Sequence, residues 1–195
     1  MVKQNRQRNK RIKTMNILAF AATNSSQSIN KQLVSYAVDL LDEAESEIID
    51  LNDYELPLFS EDREKELGQP ALAQQFLDKI NNSDAVVISF AEHNGSYTVA
   101  YKNIFDWASR INPKVFQGKP MILLATSPGP GGASSVLAAA VNSAPYFDGD
   151  VKASLSVPSF YENFDADKTV ISNDDLAAEI LSTMQQLLKP LVEAA

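Results

Sequence analysis

The chain has 195 residues, 45% of them hydrophobic, which is enough to bury one core but short for two comfortable domains. It has no cysteine and a single histidine, His93. This excludes disulfides, thiolate metal sites, cysteine nucleophiles and iron–sulfur clusters, and it argues against His-based zinc sites and a Ser–His–Asp triad.

The net charge is −8, but residues 1–14 carry six of the Lys and Arg and no acid, so residues 15–195 sum to −14. A body that acidic repels phosphate backbones, so nucleic acid is not an expected partner. Residues 1–14 lack the apolar stretch of a signal peptide. They are expected to be a basic, disordered extension ahead of one domain over 15–195. A start-site artefact and a basic interaction arm are the other two readings. No stretch approaches membrane-spanning length, so no membrane is expected, and a cysteine-free chain is expected in the cytoplasm.

In chain order, Met15–Ala22 is a continuous apolar run of strand length. Leu33, Val34, Ala37, Val38 and Leu41 then repeat at helical spacing within Asn30–Leu41. Ser46–Leu51 is a second short strand. The polar, proline-bearing stretch 52–70 is expected to be irregular. Leu72, Phe76 and Ile80 mark a helix over Ala71–Asn81, and Ala85–Phe90 is a β-branched buried run followed by the loop 91–98. A third helix covers Val99–Ile111 and stops at Asn112–Pro113. Pro120–Ser127 is the fourth strand, Ser134–Asn142 an alanine-rich helix, and Lys152–Val157 a weaker fifth strand. The last helix begins at the Ser172/Asn173 cap and runs to Leu188, before Pro190. Strands that are continuous apolar runs and alternate with helices predict a parallel sheet covered on both faces, one doubly wound α/β domain.

In such a sheet, ligands bind beyond the carboxyl ends of the strands where strand order reverses. Four of the seven glycines, Gly95, Gly129, Gly131 and Gly132, fall in loops at those ends. The loop Thr23–Asn30 is hydroxyl-rich and opens a helix, so it is either an anion cradle or a turn that ends in a Ser28 cap. It contains neither a G-x-x-x-x-G-K-[ST] nor a G-x-G-x-x-G signature. The loop Ala91–Thr98 offers the Asn94–Ser96 backbone to the edge of a planar heterocycle, with His93 and Tyr97 beside it, or it is an ordinary connection bearing a surface histidine. Ser127–Gly132 is glycine-dense enough to pass flat beneath a ring, or to be a turn. On the third helix, Tyr101, Ile104, Phe105 and Ala108 form the core stripe. Trp107 lies beside that stripe, filling the core flank or meeting a partner subunit. Asp106 and Arg110 are spaced as a surface ion pair.

These residues resemble the NADPH-dependent FMN reductase family of flavin, quinone, azo-dye and chromate reductases. The family's G-S-x-R-x-x-S-x-N corresponds to Ala22–Asn30, with Ser28 and Asn30 matching, Thr23 keeping a hydroxyl, and Ser25 standing where arginine is usual. Its P-x-Y-N-G-S followed by L-K-N-x-I-D-W-x-S-R is matched by Ala91–Ser96 and Tyr101–Arg110, with Ala91 and His93 in place of Pro and Tyr. The segment after Gly118-Lys119-Pro120 is also similar, and the resemblance covers residues 15–190.

The resemblance implies a flavodoxin-like sheet of order 2-1-3-4-5. It implies FMN phosphate at Thr23, Ser25, Ser28, Ile29 and Asn30, and the isoalloxazine edge at Glu92, His93, Asn94, Gly95, Ser96 and Tyr97. Ser127, Gly129, Gly131 and Gly132 would lie on the ring's other side. It also implies that NADPH or NADH reduces the flavin and that a small acceptor then takes the electrons, in a homodimer or tetramer formed partly by the Val99–Ile111 helix. The flavin carries that chemistry, and His93 is the one candidate proton donor near the ring. The rival readings are a flavodoxin-like electron carrier with no nicotinamide site and a flavin-free binding domain.

Overall fold

A computed structural model describes residues 14–188, so residues 1–13, on which the expectation of a disordered head falls, and residues 189–195 lie outside the described residues. In chain order the elements begin β1 (Met15–Ala22), α1 (Ile29–Asp39), β2 (Ala44–Ile49), a 3₁₀ turn (Leu51–Tyr54), α2 (Glu61–Leu67) and α3 (Ala71–Asn82). Next come β3 (Ala85–Phe90), the short β4 (Glu92–His93) and β5 (Ser96–Tyr97), α4 (Val99–Ile111), β6 (Pro120–Thr126) and α5 (Ser134–Ser143). After a 3₁₀ turn (Ala144–Phe147) follow β7 (Asp150–Val157), α6 (Phe160–Asn163), β8 (Phe164–Asp165), β9 (Val170–Ile171), α7 (Asp174–Met184) and a 3₁₀ turn (Gln185–Leu187), the last element among the described residues.

The five long strands pair in parallel in the order β2-β1-β3-β6-β7, the parallel sheet that the alternating pattern predicts and the 2-1-3-4-5 order that the resemblance implies. Alternate side chains of each strand point to opposite faces, so each buried strand feeds two cores. Leu18, Phe20, Val86, Ile88 and Leu123 pack under α3, α4 and α5, whereas Ile17, Ala19, Val87, Ile122 and Leu124 pack under α1 and α7. The chain leaves β1 for β2 on one side and later returns to β3 on the other. The order therefore reverses at β1/β3, and a crevice opens at their carboxyl ends.

The stretch 52–70 is more ordered than its polarity suggests. Leu51–Tyr54 turns under an Asp50 cap. Ser60 caps α2 by accepting from Arg63 N–H, acids fill the first turn, and Gly68 closes it at φ +68°. The helix buries none of its residues, so it has no apolar periodicity to betray it. Strand β2 lies two residues earlier than predicted, and β7 begins two residues earlier, at Asp150.

On α4, Trp107 takes the core-flank reading in place of the partner-facing one, and the Asp106–Arg110 pair is corrected. Trp107 is fully buried within the protomer, where its Nε1–H donates to Pro57 O at 2.8 Å and its ring meets Phe59 edge-on, so it is not a partner-facing residue. Asp106 and Arg110 do not pair with each other. Asp106 takes Lys102 at 2.6 Å and Arg110 reaches Glu64 of α2 at 2.9 Å, because the 56–67 segment lies along this side of the helix.

Candidate functional site

The first loop leaves β1 through a tight bend in which Thr23 N–H donates to Ala21 O at 2.8 Å and Ser25 N–H to Thr23 Oγ1 at 3.2 Å. Residues Asn24 to Gln27 are exposed, and Asn24, Ser26 and Gln27 make no hydrogen bond to another described residue. Ser28 caps α1 by accepting from Lys31 N–H at 3.2 Å. Ile29 packs inward against the α1/α7 core, and Asn30 is buried. The Asn30 amide donates to Thr126 O at 3.1 Å and accepts from Thr126 N–H at 3.0 Å and Ser89 Oγ at 2.8 Å. Of the predicted residues here, Ser25 is exposed on the loop, Thr23 and Ser28 are buried at its two ends, Ile29 packs inward, and Asn30 fastens the loop to β3 and β6.

Lys31, on the first turn of α1, binds Asp50 at 2.6 Å. Asp50 Oδ1 accepts from both Asn52 N–H at 2.9 Å and Asn52 Nδ2 at 2.8 Å. The Lys31 ammonium, followed by the Asn52 N–H, holds the Asp50 carboxyl below its ordinary pKa.

The second loop is a β-hairpin. Asn94 at φ 54° and Gly95 at φ 76° are the two central residues between β4 and β5, the positive-φ pair of a type I′ turn. A Cβ built on Gly95 would meet nothing within 4 Å, so the space above that peptide is open. Glu92 turns away from solvent and accepts from Val136 N–H at 2.9 Å, an anion on the first turn of α5. Tyr97 shares a 3.1 Å hydrogen bond with Ser143 at the other end of that helix. Thr98, outside the predicted set, joins the first two loops. Its Oγ1 donates to Ala22 O at 2.8 Å and caps α4 by accepting from Tyr101 N–H at 3.2 Å.

In the third loop, Gly129 O accepts from Ser159 N–H at 2.9 Å and from Ser127 Oγ at 3.2 Å. Gly129 and Gly131 leave open space where a Cβ would stand. Gly132 does not. A Cβ there would strike Ser156 Oγ and sit 3.1 Å from Pro158 N, so close packing on the end of β7 requires this glycine. Ala133 (φ 60°) and Ser159 (φ 46°) hold left-handed backbone without being glycine, strain that gathers at the same end of the sheet as Asn94.

A cleft of about 440 Å³ runs beside the first two loops, and of the predicted site residues only His93 lines it; residues 127–132 do not. One wall is His93, Thr98, Val99, Ala100 and Asn103, and the other is the 51–58 segment, including Tyr54, Glu55 and Leu58, with Asn24 at the end. Asn103 builds the second wall by donating to Leu56 O at 3.0 Å and accepting from Phe59 N–H at 2.8 Å, alongside the Trp107–Pro57 bond. The matched K-N-x-x-D-W stretch is thus a clamp that holds the wall to α4. A recess of about 470 Å³ between α1 and the Phe164/Val170 hairpin is larger but has no glycine-bearing loop beside it. The strand-end cleft is therefore the candidate site.

The donor set of the first loop fits a phosphate monoester. It offers neutral hydroxyls and free loop groups ahead of an 11-residue helix, with no acid in residues 23–30. The profile of the NADPH-dependent FMN reductase family matches residues 15–159. The chain belongs to that family. An NAD(P)H-dependent FMN reductase of Pseudomonas aeruginosa is 28% identical over 176 residues, 89% of this chain and 92% of that protein. An NADPH:quinone oxidoreductase of Arabidopsis thaliana is 32% identical over 61% of each chain. In structure, FerB, a flavoenzyme NAD(P)H:(acceptor) oxidoreductase from Paracoccus denitrificans, superposes with TM-score 0.72 at 24% identity, covering 90% of this chain and 96% of its own. That likeness shows the flavodoxin-like fold. Family membership makes the protein an FMN-dependent oxidoreductase with NAD(P)H as reductant and disfavours the carrier and flavin-free readings.

Proposed function

We propose that FMN sits across the three loops at the carboxyl ends of β1, β3 and β6, and that the protein passes electrons from NADPH or NADH to a small flavin or quinone acceptor. The observation that carries this reading is that the hydroxyl-rich loop, the Asn94–Gly95 hairpin and the open Gly129–Gly131 backbone follow β1, β3 and β6 at one sheet end, the first two of them beside the 440 Å³ cleft. When bound, FMN supplies the redox chemistry. The Thr23, Ser25 and Ser28 hydroxyls and the loop N–H groups would hold its phosphate. The Asn94–Ser96 backbone would read the ring edge, and Ser127, Gly129 and Gly131 would face the other side. Asn30 and Gly132 position these loops without touching the cofactor. Glu92 and Tyr97 fasten the hairpin to α5. His93 is exposed on the cleft wall, where it can deliver a proton to a reduced acceptor.

We place the protein in the cytoplasm, on its lack of cysteine; no helix among the described residues is long and apolar enough to cross a membrane. We assign a homodimer on Leu58 and Val99, each 70% exposed and both on the cleft. The test is the absorbance spectrum of freshly purified protein, followed by FMN titration and NADPH oxidation with a quinone. Bound flavin and quinone-dependent NADPH consumption are expected. Colourless protein that fails to alter FMN fluorescence at micromolar concentration refutes the reading, and sedimentation as a monomer refutes the dimer.

A further inference from the structure

We propose that Lys31 supplies the positive charge for the phosphate monoester at the first loop, where this chain has Ser25 in place of the arginine of the resembling motif. The inference rests on the FMN reading above and adds to it the residue that makes the site select a phosphorylated flavin.

Lys31 and Asp50 are close neighbours of Thr23, Ser25 and Ser28, on the α1 side of the first loop. It stands three residues beyond the Ser28 cap, on the turn of α1 whose start faces the loop. Residues 23–30 contain no Lys or Arg, and the cleft lining contains none either. Hydroxyls and N–H groups can orient a phosphate, but the dianion then lacks a countercharge, and among the described residues Lys31 is the cation that stands beside this loop.

Its geometry suits the task. An ammonium has three N–H donors, and the 2.6 Å contact with Asp50 uses one. Asp50 is itself fixed by two bonds from Asn52, so it is a rigid post that stops the long side chain from swinging away. At 43% exposure the remaining N–H groups are open to a ligand. Lysine acts as a compact point charge, whereas arginine grips with a planar fork. This site therefore recognises phosphate by charge more than by shape.

The experiment compares FMN with riboflavin, which lacks the phosphate, by fluorescence titration of stripped protein. In Lys31→Met the FMN dissociation constant should rise about tenfold, while riboflavin changes by less than about twofold. Lys31→Arg should bring FMN back to within about threefold of the parent. Raising the salt from about 50 to about 500 mM should weaken FMN binding in the parent and have little effect in Lys31→Met. An unchanged FMN constant in Lys31→Met overturns the inference, and so does an equal loss for both flavins in a variant with normal melting. A parent protein that binds FMN and riboflavin equally well sinks the Lys31 assignment alone. A parent that binds neither sinks the FMN reading itself.

Discussion

The Asn30 side chain and the Thr126 backbone bond each other in both directions, amide to carbonyl at 3.1 Å and N–H to amide oxygen at 3.0 Å, across 96 residues of sequence. Ser89 Oγ adds a third bond to the same Asn30 oxygen. One buried side chain therefore fixes the spacing of α1, β3 and β6, the elements that carry the three loops.

Asn30→Ala should leave the Thr126 peptide and the Ser89 hydroxyl unpaired in the interior. Unpaired buried groups cost about 1–3 kcal/mol each, so a total loss of about 2–4 kcal/mol is expected after partial relaxation. Urea titration should show a lower midpoint with an unchanged slope. A loss below about 0.5 kcal/mol would mean that the network is not what holds the loops in register.

Trp107→Phe removes the Nε1–H bond to Pro57 O and thins the contact with Phe59. About 1–2 kcal/mol of stability should go, and flavin affinity should fall with it, because Pro57 joins Leu56 and Leu58, which line the cleft. The sedimentation coefficient should not change, since the ring is enclosed by its own protomer. A shift toward a slower-sedimenting species would return Trp107 to an interface role.

The sheet was legible because its three central strands, β1, β3 and β6, are nearly continuous apolar runs of six to eight residues separated by helical periods. Within those three the polar residues are Asn16, Ser89 and Thr126, the last two in the Asn30 network. The edge strands β2 and β7 instead carry Glu45, Ser46, Glu47, Lys152, Ser154 and Ser156, and there the predicted bounds were two residues off. Helix α2 was hidden because it buries nothing, although Ser60, its acidic first turn and Gly68 were all in view. The Asn94–Gly95 pair announces a hairpin, but its strands are only two residues each, too short to show alternation. The candidate site was legible in its loops and missed in its far wall. The 51–58 segment reaches the cleft through side-chain bonds to Asn103 and Trp107, contacts between residues more than forty positions apart. Trp107 stood off the α4 core stripe because a second layer, residues 57–59, covers that flank.

The Lys31–Asp50 pair sets a pH dependence. Asp50 titrates lower in the folded chain than in the unfolded one, where an aspartate sits near 3.9. Its contribution is therefore present in full above the unfolded value and is lost as pH falls through the folded value. Asp50→Asn should lower the melting temperature at neutral pH, and the gap from the parent should close as pH falls from about 5 to about 2. A constant gap across that range would show that the variant acts through the Asn52 turn and not through charge.

Gly95 separates chemistry from packing. Its φ of 76° is a left-handed conformation that a β-branched residue strongly resists, yet no atom stands within 4 Å of where its Cβ would be. Substitution therefore strains the turn without colliding with the protein. The hairpin it closes has only two residue pairs and lies outside the main sheet, so Gly95→Val should cost the apoprotein no more than about 1–3 kcal/mol. The open space above the peptide is where the flavin edge is proposed to lie, so the same change should remove most of the FMN affinity. Measuring the dissociation constant and the melting temperature on one preparation distinguishes the two effects. If the variant stays folded and binds FMN as tightly as the parent, the ring does not lie against this hairpin, and the cofactor must be sought along the cleft wall of Tyr54 and Leu58 instead.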